Sequence, residues 1–111
     1  PLLRWLRRQK RVFRIQSGSL QSDISELFRA QIVVAAKGTF LYPVFLASTN
    51  LQEVIRFENR VPNSMIREGV AVRTISDARG EYREKVLSVW TNSRRQRRLM
   101  RRYPEKLLTE L

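Results

Sequence analysis

Only the middle of this 111-residue chain has the charge balance to collapse around a core. Residues 23–91 hold nine Lys or Arg against eight Asp or Glu, a net of +1. Residues 1–22 carry Arg4, Arg7, Arg8, Lys10, Arg11 and Arg14 and no acid. Residues 92–103 carry Arg94, Arg95, Arg97, Arg98, Arg101 and Arg102, again with no acid. Each of these end segments bears +6, and residues 104–111 bear −1. Segments of one sign repel themselves, so they are expected to order only beside a counter-charge. The chain is therefore expected to comprise a basic N-terminal arm over 1–22, a compact body over 23–91, and a basic C-terminal helix and tail over 92–111.

Size and composition fit one small domain. Apolar residues make up 42% of the chain, enough for a modest core. With neither cysteine nor histidine, disulfides, Cys- or His-ligated metals, and triads that need His are excluded by composition. The longest apolar stretches, near 30–36 and 39–47, are interrupted by Lys37 and Gly38 and are too short to span a bilayer as helices.

The body reads as α+β: a small single domain with two β-hairpins and short helices, flanked by arginine-rich helical arms. Leu2, Leu3, Trp5, Leu6, Val12, Phe13 and Ile15 form a rough helical stripe over 2–15. Residues 16–19 read as a hinge, and Asp23 with Glu26 as the cap of a short helix. Residues 30–36, β-branched at their centre, favour a strand, with a single helix over 23–37 as the alternative. A turn at Lys37–Gly38 then leads into a second strand over 39–46, with Pro43 at an edge or bulge. Asn50 with Glu53 marks a helix over 51–60. Residues 69–76 and 81–90 form the second hairpin about the turn Asp77–Gly80, and Thr91 or Asn92 caps a helix running to 102.

No element supplies chemistry. The ten carboxylates are dispersed, and those at Asp23, Glu26 and Glu53 suit helix caps. The four glycines suit turns and form no phosphate loop. No catalytic residue, metal ligand, cofactor or small-molecule substrate is expected, and the chain is not expected to be an enzyme.

Eighteen of the 22 basic residues are Arg. A guanidinium forms bidentate hydrogen bonds with phosphate, sheds water more readily than an ammonium, and stacks on bases. Two clusters of this type point to a polyanion. The expected role is a structural RNA-binding component of a large ribonucleoprotein: a ribosomal protein, of the mitochondrial ribosome, whose arms contact rRNA phosphates. Contacts are expected from Arg4, Arg7, Arg8, Lys10, Arg11 and Arg14, and from Arg94, Arg95, Arg97, Arg98, Arg101 and Arg102. Trp5 and Tyr103 are candidates for base stacking, whereas Trp90, Phe40, Tyr42 and Phe45 are expected in the core or on edge strands. The partners would be ribosomal RNA and neighbouring ribosomal proteins. A mitochondrial location follows from the Arg- and Ser-rich, acid-free composition of 1–22, which is that of a transit segment; the cytoplasm is the alternative. Two rival readings are a subunit of an organellar membrane complex, with residues 1–15 lying on lipid, and a DNA-binding protein.

Overall fold

The computed structural model describes residues 2–10, 12–35, 39–58 and 61–111, and for residues 2, 3 and 5 the backbone only. It is an α+β domain built on one four-stranded sheet. The strands are β1 (Ile32–Ala35), β2 (Glu53–Phe57), β3 (Ala71–Asp77) and β4 (Leu108–Glu110), in the spatial order β1-β2-β3-β4. The first three run parallel, with Val33 opposite Val54 and Val54 opposite Val72. β4 lies antiparallel on β3, with Ile75 opposite Glu110.

Parallel neighbours require crossovers, so neither expected hairpin forms. Within the strand expected over 30–36 lies β1, and the turn expected at Lys37–Gly38 lies outside the described residues, but residues 39–46 do not return beside it. They supply instead a short helix, Tyr42–Ala47. Pro43 explains this: it sits in the first turn, where its missing N–H has no intrahelical partner to lose. Val44 and Phe45 face the core from this helix. Residues 51–60, expected as a helix, contain β2. Val54 and Arg56 alternate inward along it, and Asn50 donates to the Phe28 carbonyl at 3.0 Å rather than capping.

The second expected hairpin fails at its return strand. The turn forms as read, closed by Gly80 at φ +69 with its N–H on the Asp77 carbonyl at 3.1 Å. The Asp77 carboxylate, however, accepts the N–H groups of Arg79 and Tyr82 at 3.0 and 2.7 Å. That starts a helical segment over 81–88, of π type at Arg83–Ser88, which buries Val86. A strand gives way here because a buried carboxylate satisfies the free donors of a helical turn.

The ends also differ in detail. α1 covers Leu2–Arg8 rather than 2–15, and residues 12–17 have no regular structure. α2 covers Leu20–Arg29 and is capped by Ser19, whose Oγ accepts from Ser22 N at 3.2 Å. Asp23, expected as the cap, lies inside the helix and reaches back to Gly18 N at 3.3 Å. With the short helix at 42–47 as α3, the last helix, α4, covers Arg94–Arg102. Its cap is Ser93, not Thr91 or Asn92, with Oγ accepting from Gln96 N at 3.1 Å.

The core lies on the α3 side of the sheet and comprises Val33, Ala35, Phe45, Leu51, Val54, Val61 and Ile66, with Tyr42, Val70 and Val72 packed against it. Arg56 is buried among them, its Nε donating to Thr74 Oγ1 at 3.0 Å and its Nη1 to the Val61 carbonyl. Neutral acceptors thus hold the loop after β2 against β3.

Candidate nucleic-acid interface

α4 connects β3 back to β4, so the arginine cluster rides on a segment anchored at both ends. At about 100° per residue the six arginines of α4 fall within an arc of roughly 160°, and Gln96, Leu99 and Met100 take the opposite side. The sequence thus builds two faces from nine residues: one wholly cationic, one able to dock.

Gln96 does the docking. It is buried, and every donor and acceptor of its amide is used. Nε2 donates to the carbonyls of Lys85 and Val89 at 3.0 and 2.8 Å. Oε1 accepts from Thr91 N, Thr91 Oγ1 and Asn92 N at 2.9, 3.1 and 2.9 Å. Asn92 stands at φ +53, a left-handed conformation asparagine tolerates, and this bend turns its N–H onto the amide. The brace ties the first turn of α4 to the helical segment at 83–88. Gln96 looks in sequence like an interruption of a charge run. Its one signal is its position at the centre of the face the arginines leave empty.

The other end is held by Tyr103. Its hydroxyl donates to Asp77 Oδ1 at 2.5 Å, and its ring meets Tyr82 edge-on at 5.1 Å, with Tyr82 in turn 5.4 Å from Phe57. Burial and the Asp77 carboxylate push the Tyr103 hydroxyl up to about 12. Burial opposes ionisation of Asp77, but the bonds from Tyr103, Tyr82 N and Arg79 N, with the charge of Arg83, outweigh it and hold its carboxyl below the ordinary value. Tyr103, a stacking candidate in sequence, is thus engaged in fixing α4 to β3. β4 is secured by Arg73, which grips Glu110 through two bonds of 2.9 and 2.8 Å and also faces Glu53 at 3.5 Å. Hydrogen bonding to Arg73 lowers the Glu110 carboxyl.

Between these anchors the arginine face is open. Arg94, Arg95, Arg98, Arg101 and Arg102 line a groove of about 850 Å³. None of the six α4 arginines makes an ion pair among the described residues. Elsewhere five cations are matched, Arg14 and Arg29 with Glu26, Arg73 with Glu53 and Glu110, Arg83 with Glu58, and Lys85 with Glu81, whereas Arg4, Arg7, Arg8, Lys10, Arg56, Arg67, Arg79 and Lys106 have no ion pair among the described residues. α4 carries six of the chain's cations with no acid paired to any of them among the described residues. A face of this kind offers many N–H donors and no acceptor, which suits phosphate oxygens at close range.

The N-terminal candidates divide. Arg4, Arg7 and Arg8 are exposed on α1, and Lys10 is exposed just beyond it. Arg14 is joined to Glu26 at 2.6 Å, which ties it to α2. Arg11 and the side chain of Trp5 lie outside the described residues. Two aromatic expectations are corrected: Phe40 and Trp90, expected in the core or on an edge strand, are 56% and 55% exposed, whereas Phe45 is fully buried. Trp90 misses the core because the return strand that would have carried it inward is replaced by the helical segment at 83–88.

Among the described residues no helix is long and apolar enough to cross a membrane, and no group of three or more Asp or Glu is placed to hold a metal ion. Comparison of the chain with protein-family models, with curated proteins and with solved structures finds no match.

Proposed function

We propose that this chain is a non-catalytic RNA-binding component of a large ribonucleoprotein, a ribosomal protein of the mitochondrion, with α4 as its principal rRNA contact. The observation that carries the reading is the α4 face: six guanidiniums without an ion pair among the described residues, on a helix braced by Gln96 and Tyr103. Arg4, Arg7, Arg8 and Lys10 add a second basic segment, able to neutralise phosphates of another RNA strand. Sequence-independent phosphate contact places the protein by RNA shape. The transit-like composition of residues 1–22 supports the mitochondrial address.

Charge reversal tests this reading. The triple variant Arg94→Glu, Arg98→Glu, Arg102→Glu should fold, since those side chains are exposed and away from the Gln96 face, yet fail to enter the ribonucleoprotein. Incorporation of the reversed variant at the parent level would contradict it.

A further inference from the structure

Trp90 is the largest exposed apolar side chain at the mouth of α4, and its surroundings are built. An indole is well buried on average, but this one is 55% exposed, next to Val89 at 69%. The backbone on both sides of it is pinned to one buried amide: Gln96 takes the Val89 carbonyl at 2.8 Å and the Thr91 N–H at 2.9 Å. The residue after Thr91 is pinned by the same group, Asn92 N at 2.9 Å. A wide ring is therefore held out on a fixed backbone, so little conformational freedom is lost when something covers it.

The charge of the sequence that follows it points to the occupant. Residues 85–104 contain no carboxylate and seven cations, six of them on α4. Trp90 precedes Arg94 by four residues, at most about 14 Å even for a fully extended chain. An RNA strand that seats on Arg94 and Arg98 and continues past the N-terminal end of α4 comes within that distance of residue 90, whose backbone stands on the Gln96 side of the helix. In a paired stretch its bases are stacked within the helix and present no free face. An unpaired one can swing out onto an aromatic ring.

We infer that Trp90 is a stacking platform for an unpaired base adjoining the phosphates held by α4, so that the RNA recognised is a duplex interrupted by a bulge or loop. This rests on the RNA-binding reading above and adds the feature of the RNA that is read. Trp90 takes the stacking part, while Tyr103 is committed to Asp77.

The experiment uses the full chain with Trp5→Phe, which leaves Trp90 as the sole indole. The probes are an RNA hairpin with one unpaired adenosine and the same hairpin fully paired. The bulged hairpin should quench Trp90 emission and the paired one should not. Trp90→Ala should weaken binding of the bulged hairpin about tenfold, the loss of roughly one base–aromatic stack, and leave the paired one within about twofold. Trp90→Phe should retain most of the affinity. Unchanged emission on both RNAs, with Trp90→Ala indistinguishable from the parent, would overturn the inference, as would an emission shift that follows protein concentration and ignores RNA, the mark of a protein–protein contact. Failure of the parent to bind either hairpin would overturn the RNA reading itself, a separate result.

Discussion

The Tyr103 hydroxyl donates to Asp77 Oδ1 at 2.5 Å, joining the residue that ends the arginine helix to the residue that ends β3. This bond fixes the C-terminal end of the cationic face against the sheet, as the Gln96 brace holds its first turn. Asp77 also accepts the N–H groups of Arg79 and Tyr82, so the same carboxylate starts the helical segment that leads to α4. The position of α4 thus depends on a residue that lies outside the arginine face.

This bond sets a pH dependence at both ends of the scale. The folded Tyr103 hydroxyl sits near 12, above its ordinary 10.0, because burial and Asp77 oppose its ionisation. Its contribution to stability is complete below about pH 10 and is lost as pH rises toward about 12. Asp77 and Glu110 lie below their ordinary 3.8 and 4.5, so their contributions are present above those values and vanish as pH falls through the folded ones. Thermal unfolding followed from pH 2 to 12 should show both losses, and Tyr103→Phe should lower Tm at neutral pH and flatten the alkaline limb.

Gln96 should be the most sensitive residue of α4 to substitution. Gln96→Leu leaves two carbonyls and two backbone N–H groups without their partner in a part-buried setting, a cost of about 1–3 kcal/mol. Urea unfolding should register it, with amide exchange at Thr91 and Asn92 accelerating more than at Val54 in the core. Arg97→Gln, one residue along but on the cationic arc, should leave stability within about 0.5 kcal/mol.

RNA affinity should track free arginines and ignore paired ones. Each phosphate contact contributes about −0.7 to −0.9 to the slope of log K against log salt. Arg94→Gln, Arg98→Gln and Arg102→Gln should each make the slope shallower by about that amount. Arg14→Gln should change it little, because Arg14 is held by Glu26 at 2.6 Å. Fluorescence anisotropy across a salt series measures both.

The core should behave independently of the arginine face. Phe45 is fully buried on α3 between the sheet and Val61, and Phe45→Ala should cost about 3–5 kcal/mol. Saturating RNA should recover part of the lost Tm, since a ligand of the folded state stabilises it by mass action.

The parts of the molecule that were legible in sequence are those governed by local chemistry. Both acid-free arginine clusters, the strand read at 69–76 and found at 71–77, the turn closed by Gly80 and the helix read from a Thr91 or Asn92 cap to 102 and found over 94–102 follow from charge, β-branching and turn residues. The parallel order of β1, β2 and β3 was not legible, because nothing local distinguishes a crossover from a hairpin. Around Pro43 the aromatic and β-branched residues argued for a strand, whereas the ring's tolerance of a first helical turn decided the outcome. In β2 the inward alternation of Val54 and Arg56 was masked by the charge of Arg56, a residue rarely placed on a buried face. For the site, arginine positions were readable, but the brace was not: Gln96 finds its five partners only when residues 85–92 fold beneath it. Trp90, expected in the core or on an edge strand, is exposed for the same reason, since the strand that would have carried it is replaced by the helical segment at 83–88.

The most direct measurement of the RNA-binding assignment is sedimentation of the endogenous, tagged protein through a sucrose gradient at low and high salt, with and without RNase. Co-migration with a ribosomal subunit, released by RNase and weakened by salt, is the expected result. Migration with membranes or with a protein complex that ignores RNase would contradict it.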